Sequence, residues 1–453
     1  MAAQVNDKRE IFGWAMYDFA NSAFSTTIGT VFLGPYVASL ARIAADLAGT
    51  ETASVLGIPV APDSFMGYCI SLSVGLQVLF LPILGAIADY SDLRKPMMRL
   101  FATIGAVATM LMFFVTADVW WLGGLLFIIA NLAFGAAIVF YNAYLPDIAT
   151  EDQRDKVSSY GWAMGYLGGG LLLFVNLIFF QFSESLGIDG ELAVRINLAS
   201  AGVWWFGFAY YAWRRLRPSH AIRALPKGDT YLTVGFRQLR HTFREAHKYP
   251  QTIRYLIAYL VYNDGIQTVI AMAAIFAAAP LAQGGLGINP GDLAMVILMI
   301  QFVAFAGALL WGRLALRVGA KQAIVISLVI WSAVVTYGYF GMQGDNRVTE
   351  FWIMGACIAL VLGGSQAISR SLFAQMIPAG KEAEFFSVYE VSERGTSWIG
   401  PLIFSLVNQL TGSLRPALLS LIFFFFVGLF LLTRVNVKQA ILDAGNDPKG
   451  VVI

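Results

Sequence analysis

Apolar residues dominate this chain in long unbroken runs, separated by short polar stretches, from one end of the sequence to the other. A bilayer core about 30 Å thick is crossed by roughly 20 apolar residues in helical form. Runs of that length predict twelve membrane helices, at roughly 11–38, 64–88, 97–117, 120–145, 158–183, 193–214, 252–278, 292–314, 321–341, 350–374, 385–411 and 417–434. Strands of a membrane barrel would be shorter and would alternate apolar with polar, so the pattern predicts an all-α polytopic membrane protein. The one long polar interruption, 214–250, carries nine Lys or Arg against two acids and divides the runs six and six. It predicts an N-terminal six-helix bundle over 1–213, a linker over 214–250, a C-terminal six-helix bundle over 251–434 and a tail over 435–453. Within the linker, Leu232, Phe236, Leu239 and Phe243 recur at helical spacing with Arg237, Arg240 and Arg244 around the other side. That pattern predicts an amphipathic helix lying on an anionic leaflet, with the lipid bilayer as partner and no nucleic acid.

Composition agrees: of 453 residues, 58% are hydrophobic and only 13% charged, and the mean hydropathy is +0.67. Charge then sets orientation. Of the 30 Lys and Arg, only Arg42, Arg195, Arg347 and Arg415 lie in loops that odd-numbered helices lead into, and Arg394 lies within a helix. Both termini are therefore expected in the cytoplasm, and a bacterial inner membrane is the expected location. The short charged start lacks a small-residue cleavage site, so no removable signal peptide is expected. Cys69 and Cys357 fall inside predicted spans and read as small packing residues rather than a disulfide. His220, His241 and His247 all fall in the linker, which leaves no imidazole within the membrane to bind a metal or relay a proton. No metal site or cofactor is expected, and any proton coupling runs through carboxylates. No phosphate loop of the form G-x-x-x-x-G-K-[ST] occurs, which argues against ATP-driven transport.

Charged and polar groups inside a span are costly, about 2.5–3.5 kcal/mol for a central charge on the mildest scale, and mark function by default. The stretch "GWAMYDFANSAF" in the first helix places Trp14, Tyr17, Asp18, Asn21 and Ser25 on one face. Such a stripe cannot face lipid; it faces either a cavity between the bundles or another helix. In the seventh helix, "YLIAYLVYNDGIQT" puts Tyr255, Tyr259, Tyr262 and Asn263 on one face, continued by Gln267, with Asp264 about 100° around. Gly265 beside it reads either as a helix break or as a point of close packing. Asp18 and Asp264 are the candidate proton carriers, and the ten of these residues other than Tyr255 and Gly265 are candidate substrate ligands. In the eleventh helix, Glu390 and Arg394 stand i, i+4 with Glu393 beside them, a static ion pair or a gate. Arg370 stands near the end of the tenth helix, where snorkelling to the inner surface is the expected role.

The halves echo each other. "GAIADYSDLRK" follows helix two and "GRLALRVGAK" follows helix eight, with Gly85 and Gly312 separated by 227 residues. Both resemble the cytoplasmic loop signature of the major facilitator superfamily. In the first copy Gly85, Asp89, Arg94 and Lys95 match it, and in the second Gly312, Arg317 and Lys321 do, with Leu316 standing where the acid belongs. The resemblance implies a conformational latch at these positions. Gly161, Gly165, Gly169 and Gly170 resemble the glycine pattern of the fifth helix in facilitator antiporters, with Tyr166 in place of the proline; at this spacing they equally serve close helix packing. Taken with "NAYLPDI" and "GGSQAISRSLFAQMIP", these segments resemble the unknown-major-facilitator branch of that superfamily, which includes vacuolar amino-acid effluxers of autophagy. The resemblance implies two six-helix bundles in a major facilitator arrangement, a monomer, rocker-switch alternating access, and antiport that exports neutral amino acids; a sugar or other small metabolite is the alternative cargo. One reading of another class remains: Asp89 and Asp92 have the D-x-x-D spacing with which membrane prenyltransferases hold magnesium diphosphate, but no second acidic motif of that kind appears in the other inner loops.

Overall fold

The computed structural model describes residues 5–50, 52–55, 57–60, 62, 65–89, 92–218, 248–382, 385–386, 388–389 and 399–448. Twelve long helices follow one another, α1 (Lys8–Leu47), α2 (Phe65–Asp89), α3 (Arg94–Leu111), α4 (Trp121–Ala143), α5 (Arg154–Phe182), α6 (Gly190–Arg215), α7 (Pro250–Ala278), α8 (Pro290–Val318), α9 (Ala320–Phe340), α10 (Arg347–Gln375), α11 (Ile399–Thr411) and α12 (Leu414–Thr433). Among the described residues, eleven are long and apolar enough to cross a membrane. The twelfth predicted span, 385–411, is described as a helix from Ile399 onward. A small hairpin, Ala53–Val55 with Ile58–Val60, joins α1 to α2, and a short helix α13 (Val437–Asp443) closes the described chain. The predicted linker helix lies outside the described residues, as do Glu390, Glu393 and Arg394.

Helix starts follow local chemistry. Asp7, Asp189 and Asn289 accept a hydrogen bond from a backbone N–H of the first turn of α1, α6 and α8, and Pro290 adds its fixed φ at the start of α8. Gly319 sits at φ +89°, which an L side chain rarely adopts, and lets α8 turn into α9 through a single residue. Helix α1 is not uniform. Phe24–Phe32 winds as a π-helix, and Thr30 Oγ1 donates to Ser25 O at 3.0 Å in place of a regular turn. Wide turns of this kind are uncommon and concentrate at functional sites.

In the first six helices, α1 packs on α5 and α6, α3 on α4 and α6, and α2 on α4; in the last six, α8 and α9 pack on α10 and α7 on α12. The two sets meet where α5 lies against α8 and α10. Glycines set these distances. A Cβ on Gly161 would lie 2.6 Å from Trp14 Cζ3, one on Gly165 2.8 Å from Ser22 Oγ, and one on Gly169 2.6 Å from Thr26 Oγ1, so this face of α5 fits α1 only without side chains. Gly312 does the same across the seam, 2.6 Å from Ser159 Oγ. Close packing thus accounts for the fifth-helix glycines without any appeal to transport direction.

Candidate functional site

At the base of the molecule, the end where α1 begins and α12 finishes, the start of α5 meets the end of α10. The last turn of a helix leaves carbonyls without intrahelical partners and carries partial negative charge. Arg154, buried at the start of α5, donates to Ala374 O at 3.3 Å in the last turn of α10. Ser371 Oγ donates to Asp155 Oδ1 at 2.5 Å, and Ser158 Oγ donates to Ala367 O at 2.8 Å. A turn farther in, Tyr166 donates to Gln366 Oε1 at 3.2 Å.

Arg370 lies at the centre of this joint and is only 4% exposed. Its Nε donates to Ser158 Oγ and its Nη2 to Ser158 O, both at 2.9 Å, while Nη1 reaches Asn142 Oδ1 at 3.2 Å and Asp18 Oδ2 at 3.5 Å. Three rings flank the guanidinium, Trp14, Tyr141 and Trp162, with centroids 5.0, 5.7 and 5.5 Å away. The expectation that Arg370 snorkels is thereby corrected. Snorkelling requires a lipid-facing side chain, and the run Ser365, Gln366, Ser369, Arg370, Ser371, Gln375 puts polar groups all around α10, which is buried on every side there.

The α1 stripe meets this cluster. Trp14, Tyr17, Asp18 and Asn21 are all buried, and Trp14 Nε1 donates to Tyr141 O at 2.9 Å while its ring stacks on Tyr141 at 4.4 Å. Tyr141 OH donates to Asp18 Oδ2 at 2.6 Å, a charge-assisted bond. In this conformation all four lie against other helices, and Tyr17 OH and Asn21 Nδ2 have no hydrogen-bond partner among the described residues. Ser25, about 10 Å farther along the helix, is exposed. The joint is therefore closed at Asp18 and Arg370.

The α7 residues sit apart from that cluster. Tyr255 OH donates to Ser369 O at 2.8 Å, Tyr262 OH pairs with Ser369 Oγ at 2.7 Å, and Tyr259 stacks on Tyr389 at 4.4 Å, all within the last six helices. Gln267 is half-buried. Asn263 and Asp264 are 1% and 2% exposed, and among the described residues neither Asn263 amide atom nor Asp264 Oδ1 has a hydrogen-bond partner; Asp264 Oδ2 accepts from Gly400 N at 3.0 Å. Helix α7 runs unbroken through Gly265, where a Cβ would lie 2.8 Å from Phe424 Cβ, so of the two readings of this glycine close packing holds.

The loop residues form a second bridge at the base. Arg94, 3% exposed, donates to Asp147 Oδ2 after α4 at 3.1 Å and to Glu382 Oε2 after α10 at 2.8 Å. Asp147 and Glu382 were not singled out by sequence; Asp147 stands in "NAYLPDI", but nothing in spacing points to a partner 288 residues from Arg94. The Asp89 side chain lies outside the described residues, and Gly85 is buried. Lys95 donates to Leu216 O at the end of α6, and Lys321 donates to Thr433 O at 3.1 Å and Val435 O at 2.8 Å at the end of α12. Each loop lysine thus caps the carbonyl end of the sixth helix in its own set. Arg317 is exposed. Arg94→Gln leaves Glu382 buried without its cation, and is expected to cost on the order of 3 kcal/mol, read as a lower Tm in detergent; Arg94→Lys recovers only part, because one ammonium cannot fork between two acids.

No group of three His, Cys, Asp or Glu placed to hold a metal occurs among the described residues. A surface groove of about 930 Å³ between α1, α5 and α6, lined by Met16, Leu172, Val203, Trp204 and Phe208, is almost wholly apolar and stands away from the polar cluster.

Twelve helices with polar residues buried where two six-helix sets meet define a major facilitator fold. The chain superimposes on the solved structure of the major facilitator superfamily proton:xylose symporter XylE with a TM-score of 0.67, at 11% identity, over 95% of this chain and 96% of that one. A family model described as "Vacuole effluxer Atg22 like" matches residues 6–445, and the chain belongs to that family of major facilitator transporters. It is 29% identical to the uncharacterized MFS-type transporter YxiO of Bacillus subtilis, over 93% of this chain and 94% of the relative, and 27% identical to autophagy-related protein 22-1 of Penicillium rubens, over 86% and 78%. The protein is an integral membrane transporter and not an enzyme, which retires the prenyltransferase reading of Asp89 and Asp92.

Proposed function

We propose that this protein is a secondary transporter that exports neutral amino acids in exchange for protons by alternating access. The observation that carries the reading is the joint at the base, where Asp18 of the first half and Arg370 of the second are buried against each other instead of facing water. A buried ion pair is weak evidence for stability, whereas a pair that closes only when two bundles meet is a natural element of a two-state device. The relatives' description as vacuole effluxers supports export. Residues 1–213 and 251–434 then move as two bodies joined by the 214–250 linker, and the matching contacts of Lys95 and Lys321 support a duplicated unit. The count of basic residues supports cytoplasmic termini, so the base closes the cytoplasmic side, in a bacterial plasma membrane and as a monomer.

Asp264 is the proton carrier in this reading, since one oxygen of its carboxylate is buried without a partner among the described residues. Counterflow in proteoliposomes preloaded with single neutral amino acids, and then with sugars, tests the proposal. Exchange of a branched or aromatic amino acid supports it; exchange of sugars alone keeps the transporter and replaces the cargo. Asp264→Asn is expected to leave exchange within about twofold of wild type and to abolish accumulation driven by a pH gradient. Equal gradient-driven uptake by the variant would remove Asp264 from the coupling step.

A further inference from the structure

Among the described residues, the side chains that bond, pair with or stack on the Arg370 guanidinium come from the first six helices: Trp14 and Asp18 from α1, Tyr141 and Asn142 from α4, Ser158 and Trp162 from α5. The cation alone comes from α10. What these residues build, taken without Arg370, is a receptor for a positive charge: one carboxylate, three neutral acceptors on two residues and three aromatic faces. Asp18 is held from its own side by the Tyr141 hydroxyl at 2.6 Å, so the acid keeps its place when α10 leaves. Gly161 backs the receptor, and a Cβ there would lie 2.9 Å from Asp18 Oδ2.

We propose that this receptor is the seat of the cargo's ammonium group once the halves part, and that the freed Arg370 then takes the cargo's carboxylate. The inference rests on the transporter reading above and adds which two side chains recognise which two ends. Parting the halves strips two buried charges of each other, and an uncompensated buried charge is strongly unfavourable. A zwitterion compensates both at once without adding net charge to the site. A simple cation would leave Arg370 unpaired, and a simple anion would leave Asp18 unpaired. Arg370 is thus an internal competitor for the ammonium seat: cargo takes the seat while the base is open, and closure of the base returns Arg370 to Asp18 and frees the cargo toward the other side.

The test uses leucine, leucine methyl ester and N-acetyl-leucine as competitors of leucine counterflow through the wild-type protein, and ligand-induced shifts in Tm for variants that do not turn over. Masking either charge is expected to weaken binding about 30-fold or more, the value of one charged hydrogen-bonding partner. In Asp18→Asn the penalty for N-acetylation collapses, and in Arg370→Gln the penalty for esterification collapses, each variant losing discrimination at one end only. Arg370→Lys keeps the charge and retains the esterification penalty. Leucine exchange together with equally good competition by N-acetyl-leucine would overturn the inference and leave the transporter reading standing. Absence of exchange for every neutral amino acid would overturn that reading and the inference with it.

Discussion

Arg370→Gln is expected to abolish exchange while leaving a folded protein. Removing the guanidinium leaves Asp18 buried beside Tyr141 with no cation, and removal of one partner of a buried pair costs about 3–5 kcal/mol. That cost falls only on the conformation in which α5 and α10 meet, so the closed base becomes rarer by about 100-fold or more and turnover stalls. A double variant separates this account from simple misfolding. Asp18→Asn with Arg370→Gln leaves no orphan charge, so Tm is expected to return toward wild type, while exchange stays absent. Recovery of exchange in the double variant would show that the pair serves only to hold the fold.

Gly168→Val is expected to prevent assembly of the N-terminal bundle. A Cβ at this position would meet the backbone carbonyl oxygen of Phe19 and lie 2.8 Å from its carbonyl carbon. Backbone atoms of a packed helix cannot rotate away as a side-chain tip can, so α1 and α5 must separate along their length, at a cost of at least about 3 kcal/mol. Size-exclusion profiles and Tm in detergent read this directly. Gly75→Ala on α2 is the control, because a Cβ there meets nothing within 4 Å, and it is expected to be neutral.

Much of the architecture was legible because a bilayer forces it into the sequence. Apolar length specifies the spans, the basic linker marks the middle, and the Gly85 and Gly312 loops echo each other across 227 residues. The α1 stripe was legible for the same reason, since Trp14, Tyr17, Asp18 and Asn21 could not face lipid. Its setting was not. Periodicity says which side of a helix is polar, and it cannot say whether that side meets water or another side chain. Arg370 was misread as snorkelling because depth along the helix was weighed and direction around it was not; polar residues at 365, 366, 369, 370, 371 and 375 encircle α10 and leave no lipid-facing side. Partners distant in sequence, such as Glu382 for Arg94 and Asn142 for Arg370, carry no local signal and emerge only from the meeting of the two bundles. Gly168 escaped notice because spacing by four picks out Gly161, Gly165 and Gly169, while the tightest backbone approach falls between them.

The claim beneath all of this is that the base must open and close during each cycle, and a reversible tether there tests it most directly. Ser158→Cys and Ala367→Cys, in a background with Cys69→Ser and Cys357→Ser, put one thiol on α5 and one on α10 at the joint, where Ser158 Oγ now donates to the backbone O of Ala367 at 2.8 Å. Oxidation of the pair, or bridging by a short bifunctional thiol reagent, is expected to stop counterflow completely, and reduction of the disulfide to restore it to the level of the reduced double variant, with neither single variant responding to oxidation or to the reagent. Undiminished exchange in protein shown to be fully cross-linked would contradict the account, because it would mean that cargo passes without the two halves parting at Asp18 and Arg370.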